Sequence, residues 1–110
     1  MSARRDDFEA AGSSTAAAVT ITLDGDLDLL RADDVRARIL AAHRSGVTTV
    51  QLDMAAVTFF DSSALRAVLQ ARQTFRQAGV ELVVTERSPH VERVLEVTGT
   101  LDLLTDGPQL

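Results

Sequence analysis

The chain reads as an α/β protein, a single small domain built on a mixed, mostly parallel β-sheet with helices packed on it. Two observations predict this. Apolar residues switch repeatedly between a period of two and a helical period, in the order strand, helix, strand, helix, strand, helix, strand, with a further short strand possible at the start. Alternating elements of this length imply strands joined through helical crossovers, hence parallel neighbours. The length points the same way: 110 residues suffice for one domain with a true core and are too few for two comfortable ones.

The elements follow in order. Residues 1–15 read as a flexible N-terminal segment in which "DFEAA" allows a short strand, with Gly12, Ser13 and Ser14 as its turn; residues 16–110 form the domain. "AAVTITLDGDLD" (17–28) alternates Val19, Ile21 and Leu23 against Thr20 and Thr22, a half-buried strand. "RADDVRARILAAHRSG" is a helix with Val35, Ile39 and Ala42 as its apolar stripe. Asp33 and Asp34 in its first turn and His43 and Arg44 in its last suit the helix dipole, and Gly46 stops it. "VTTVQLDM" (47–54) returns to period two through Val50, Leu52 and Met54.

From Ala64 the period is helical again, with Leu65, Val68, Ala71, Phe75 and Ala78 on one face and Gly79 ending the run. "VELVVT" (80–85) is a short buried strand. Ser88 followed by Pro89 is a cap and first-turn signal for a helix carrying Val91, Val94 and Leu95, closed by Gly99. "LDLL" (101–104) is then expected as a last strand.

Composition removes several classes of function. Net charge is −5 and every positive side chain is an arginine, with no basic run, which disfavours binding to nucleic acid or anionic membrane. The absence of lysine removes the P-loop lysine and Schiff-base chemistry. The absence of cysteine removes thiol nucleophiles, disulfides and thiolate metal sites, in keeping with a reducing, cytoplasmic setting. Four phenylalanines are the whole aromatic complement, too few for a base-stacking platform. "MSARRDDFEAAGSS" lacks the apolar core of a signal peptide, and no apolar stretch is long enough to span a bilayer. Neither a cofactor nor a small-molecule substrate is expected.

The informative stretch is "VTFFDSSALRAVL" (57–69), where Asp61, Ser62 and Ser63 separate two apolar runs of different period. An N-cap explains one polar residue ahead of a helix, through a bond to a free backbone N–H. It does not require three. A nucleophilic serine lacks the Gly-x-Ser-x-Gly elbow. Its candidate bases also fail, because His43 belongs at the opposite edge of this topology and His90, behind a helix-starting proline, reads as solvated. Asp24, Asp26 and Asp28 open like a calcium loop, but Leu29 and Val35 stand where that loop needs Gly and Glu. A phosphoacceptor serine remains open beside the cap, since a helix N-terminus tolerates a phosphate.

These pieces resemble the STAS domain family, particularly its bacterial anti-sigma factor antagonists, from about Ala17 to Leu104. "FFDSSALRAVL" is similar to the family's Asp-Ser-Ser-Gly-Leu motif, and "LDGDLD" to its Gly-Glu-Leu-Asp turn. "GVELVVTERSPHVERVLEVTGTLDLL" resembles its closing strand, Ser-Pro helix and Gly-Leu ending. The resemblance implies a small mixed sheet with helices on one side. It also implies a non-enzymatic binding module that, unphosphorylated, sequesters an anti-sigma factor, itself an ATP-binding serine kinase. Carried onto this chain, it makes Ser62 the phosphoacceptor, Asp61 and Ser63 the shapers of its loop, and a serine phosphatase the enzyme that restores binding. Asp26, Asp28, Asp61, Ser62, Ser63 and Ala64 are then the expected partner-facing residues. An alternative is a scaffold subunit of another complex, such as a lipid-transport ATPase, without phosphorylation. Three departures stand out: Ala64 replaces the usual Gly, Asp26 replaces Glu, and the chain stops at Leu110 where members commonly add a helix.

Overall fold

The computed structural model of the chain describes residues 17–105. Three strands, β1 (Ala17–Leu27), β2 (Val47–Phe60) and β3 (Glu81–Arg87), form a sheet in the order β1-β2-β3 with both pairings parallel. A 3-10 turn (Leu29–Arg31) leads into α1 (Ala32–Leu40), which crosses from β1 to β2. α2 (Ser62–Gln77) crosses from β2 to β3, and α3 (Pro89–Thr98) and α4 (Leu101–Thr105) follow. The segment "DFEAA", expected to allow a further strand, lies outside the described residues.

Strand order in space equals strand order in sequence, so two crossovers of the usual right hand place α1 and α2 on the same face. Side-chain alternation agrees. Ile21 pairs with Leu52 and Leu52 with Val84, a row of apolar residues beneath the helices. The neighbouring row, Thr20, Gln51 and Val83, points away from them, and Thr20 Oγ1 donates to Gln51 Oε1 at 3.0 Å. A wholly parallel sheet ordinarily buries both faces. Among the described residues this one buries one face, as the half-polar sequence of β1 and β2 requires.

The core lies between that face and the helices. Val50, Leu52, Met54, Leu82 and Val84 meet Val35 and Ile39 of α1, Val68, Ala71 and Phe75 of α2, and Val91 and Leu95 of α3. Val19 and Ile21 are only half-buried because β1 is an edge strand among the described residues. Ser88 caps α3 as expected, its Oγ accepting from Val91 N–H at 3.3 Å with Pro89 in the first turn. Gly99, at φ 75°, ends α3 in the left-handed conformation that a Cβ disfavours.

Several expectations are corrected. "LDLL" is not a strand: Leu104 N–H donates to Thr100 C=O at 3.0 Å, and Leu101 and Leu104 face the core at helical spacing. A four-residue apolar run carries too little pattern to separate the two states. Ala78 is exposed, because α2 ends before it. His43 and Arg44 fall beyond the end of α1, and the His43 ring instead meets Phe75 edge-on at 5.9 Å.

β2 runs six residues past Met54. There its buried positions are Met54, Val57 and Phe60, a spacing of three that hides the strand from a period-two reading. Two register shifts against β1, between Thr22 and Asp24 and between Gly25 and Asp26, each place an extra residue in β2 and produce that spacing. Gly25, at φ 74°, lies at the second irregularity.

Candidate functional site

The C-terminal ends of β1 and β2 converge on one edge of the molecule, and the start of α2 sits on it. Leu27 pairs with Phe60, and Asp61 N–H donates to Leu27 C=O at 3.3 Å, which fixes the β1 end against the beginning of α2. Asp61 has extended backbone (φ −107°, ψ −179°) and is the N-cap; its Oδ1 accepts from Ala64 N–H at 3.0 Å. One acid thus satisfies the cap. Ser62 and Ser63 make no side-chain hydrogen bond among the described residues, and Ser62 is exposed while Ser63 is half-buried.

The two acids of "LDGDLD" expected at this edge are there, each with a local task. Asp26 Oδ1 accepts from Thr58 Oγ1 at 2.7 Å across the β1–β2 pair, and Arg31 Nη1 donates to the Asp26 carbonyl at 3.2 Å. Asp28 caps the 3-10 turn, its Oδ1 accepting from Leu30 N–H at 3.1 Å. With one carboxylate in a hydroxyl bond and the other in a cap, this acidic run is turn architecture with negative charge facing outward. No cluster of three or more metal-ligating side chains occurs among the described residues.

Ala64 is fully buried, so its side chain presents nothing to a partner. Its expected place among the surface contacts is corrected to packing: the methyl fills space between α2 and the sheet.

The structure adds residues that the sequence reading did not single out. Leu29 and Leu30 are 70% and 89% exposed, and Phe59 is 42% exposed. All three flank the Ser62 edge. Leu29 also lines a cavity of about 380 Å³ between α1 and α2, together with Ser62, Ser63, Arg36 and Arg66. The sequence signal was partial: Leu29 continues the strand period of Leu23 and Leu27, and only Leu30 fits neither that period nor the helix stripe. Exposed apolar side chains on such a chain mark a contact surface more readily than a core.

Histidine geometry bears on the hydrolase alternative. His43 contacts Phe75, thirteen residues along α2 from Ser62, which is about 20 Å of helix. His90 is half-buried rather than solvated, its ring lying over Phe59 at 5.4 Å. No helix among the described residues is long and apolar enough to cross a membrane.

Comparison with known proteins converges on one family. A family model described as the STAS domain matches residues 8–108. The chain is 33% identical over 81 residues to a Bordetella bronchiseptica protein provisionally named anti-sigma factor antagonist BtrV, covering 74% of this chain and 70% of that one. The solved structure of the anti-sigma factor antagonist SpoIIAA in its unphosphorylated form superposes with a TM-score of 0.67 at 28% identity, covering 84% of this chain and 81% of that one. The phosphorylated form of SpoIIAA, described as a Bacillus cell fate determinant, gives 0.61 at 26% identity and 84% coverage of each chain. The STAS domain of a SulP transporter from Vibrio cholerae shares the fold, with a TM-score of 0.63 at 18% identity over 86% of this chain and 75% of that one.

Proposed function

The chain belongs to the STAS domain family, and from that premise we propose that it acts as an anti-sigma factor antagonist switched by phosphorylation of Ser62. In this reading the unphosphorylated chain binds an anti-sigma factor, an ATP-binding serine kinase of the cytoplasm. That kinase phosphorylates Ser62 and the complex dissociates, and a serine phosphatase restores binding. The chain is substrate and switch and catalyses nothing itself.

The observation that carries the proposal is the division of labour at the start of α2. Asp61 alone supplies the cap, leaving the next residue, Ser62, exposed and without a structural hydrogen bond among the described residues, at the edge that also bears Leu29, Leu30, Asp26 and Asp28. A serine with no structural task at an edge with exposed leucines fits a modification site inside a binding surface. The existence of SpoIIAA structures in both unphosphorylated and phosphorylated form supports the same reading.

The energetics suffice. Phosphorylation adds about −1.5 to −2 charges to an edge that already carries three carboxylates. A partner docked there must bury or repel that charge, and an uncompensated buried charge costs several kcal/mol. About 1.4 kcal/mol is already a tenfold loss of affinity.

Affinity capture from host lysate with wild-type and Ser62→Asp baits tests the proposal. An ATP-binding, kinase-like protein held by wild type and lost from the variant is the expected result. A partner held equally by both baits moves the assignment to a scaffold role, with Asp61 a cap and Ser62 a bystander.

A further inference from the structure

We propose that a phosphate on Ser62 is received by this chain itself, in the groove between α1 and α2, with Arg66 as its direct ligand and Arg36 as a second positive charge at the far end of the groove. This inference rests on the phosphoacceptor reading of Ser62. Ser62, Ser63 and Arg66 line one wall of the groove, and Asp33 and Arg36 line the other. Residues four apart on a helix have Cβ atoms about 5–6 Å apart, and an acid N-terminal to its base is the favoured order. A phosphate on Ser62 and the guanidinium of Arg66 meet both conditions. Arginine also offers the forked donors that phosphate oxygens accept.

Arg36 acts from further away. Its Nη1 donates to Gln70 Oε1 at 3.0 Å, and Gln70 lies about 12 Å along α2 from Ser62. That distance exceeds the Debye length of about 8 Å at physiological salt, and Arg36 is shared with Asp33, so Arg36 contributes a weak, screened field and no contact.

Four carboxylates, Asp26, Asp28, Asp33 and Asp61, oppose the phosphate, and each is held by a local partner; Asp26 accepts from Thr58 Oγ1 at 2.7 Å. Asp33 is 94% exposed and lies 3.7 Å from Arg36 Nη2. The carboxylates of Asp61 and Asp28 accept backbone N–H bonds from Ala64 and Leu30. His90 stands over Phe59, on the α3 side of the same edge.

The consequence is a switch with two components. Phosphorylation adds negative charge to the edge, and it also withdraws the Arg66 guanidinium from any acidic group of a partner. An internally held phosphate further explains how the fold accommodates a dianion beside these carboxylates.

The full chain with phosphoserine placed at position 62 during translation tests this without any kinase. The second ionisation of the phosphate, with a pKa of about 6 in free phosphoserine, is followed by phosphorus NMR. In wild type it is expected about half a unit below its value in Arg66→Gln, with a smaller difference for Arg36→Gln. Arg93→Gln, in a separate cavity beside α3, serves as the control expected to match wild type. The α2 terminus is common to all four proteins and cancels, and Arg66 is exposed, so its replacement leaves the core intact. The same value in wild type and Arg66→Gln overturns the proposal. A kinase that leaves Ser62 unmodified refutes the phosphoacceptor reading separately and does not alter this result.

Discussion

Asp61 and Ser62 are neighbours of similar helix-capping preference, and the structure gives them different work. Asp61 holds the Ala64 N–H at 3.0 Å, so Asp61→Ala removes a cap worth about 1 kcal/mol and lowers the melting temperature by about 4 °C. Ser62→Ala removes no structural bond among the described residues and should leave the melting temperature within about 1 °C of wild type. Differential scanning calorimetry of the two variants checks the division; equal losses would return Ser62 to a structural role. The polar junction itself was legible in the sequence. Which residue caps was not, because Asp and Ser both accept the bond and the choice depends on backbone angles, extended at Asp61 and helical at Ser62. Ala64 shows the same limit. Its place beside Ser62 in the motif suggested the surface, but one residue further along a helix turns the side chain by about 100°, here into the core.

Among the elements, the strands and helices with plain periodicity were readable, and those that break it were not. β1, α2 and α3 match their alternating or helical patterns, and Ser88 with Pro89 marked the start of α3. The end of β2 was missed because its extra residues against β1 replace alternation with buried positions three apart. α4 was misread because an isolated apolar run looks the same in either state until Leu104 N–H finds the Thr100 carbonyl. The connection from β1 to α1 carries the functional consequence. Leu29 and Leu30 project from the 3-10 turn beside Ser62, supporting no core. Replacing both with Ser should cost the captured partner at least about tenfold in affinity, since burying one leucine at an interface is worth about 1.5–3 kcal/mol. The melting temperature of the free protein should hardly move. Partner titration and thermal unfolding of the same variant separate the outcomes, and unchanged affinity would remove this turn from the interface.

At the scale of the whole molecule, the helices cover one face of a three-stranded parallel sheet and leave the ends of β1 and β2 free to build a surface. The core lies behind that surface, in Val50, Leu52, Phe75, Leu82 and Leu95. Ser62 is exposed and outside that core, so a charge added there is expected to leave the packing intact. In the proposed switch, one serine governs association without unfolding the domain. Isothermal titration of the captured partner against the unmodified chain and the chain phosphorylated at Ser62 is the decisive measurement. Tight binding by the unmodified chain and at least about a tenfold loss on phosphorylation are expected, with both forms equally folded. Equal affinity of the two forms would contradict the proposed switch.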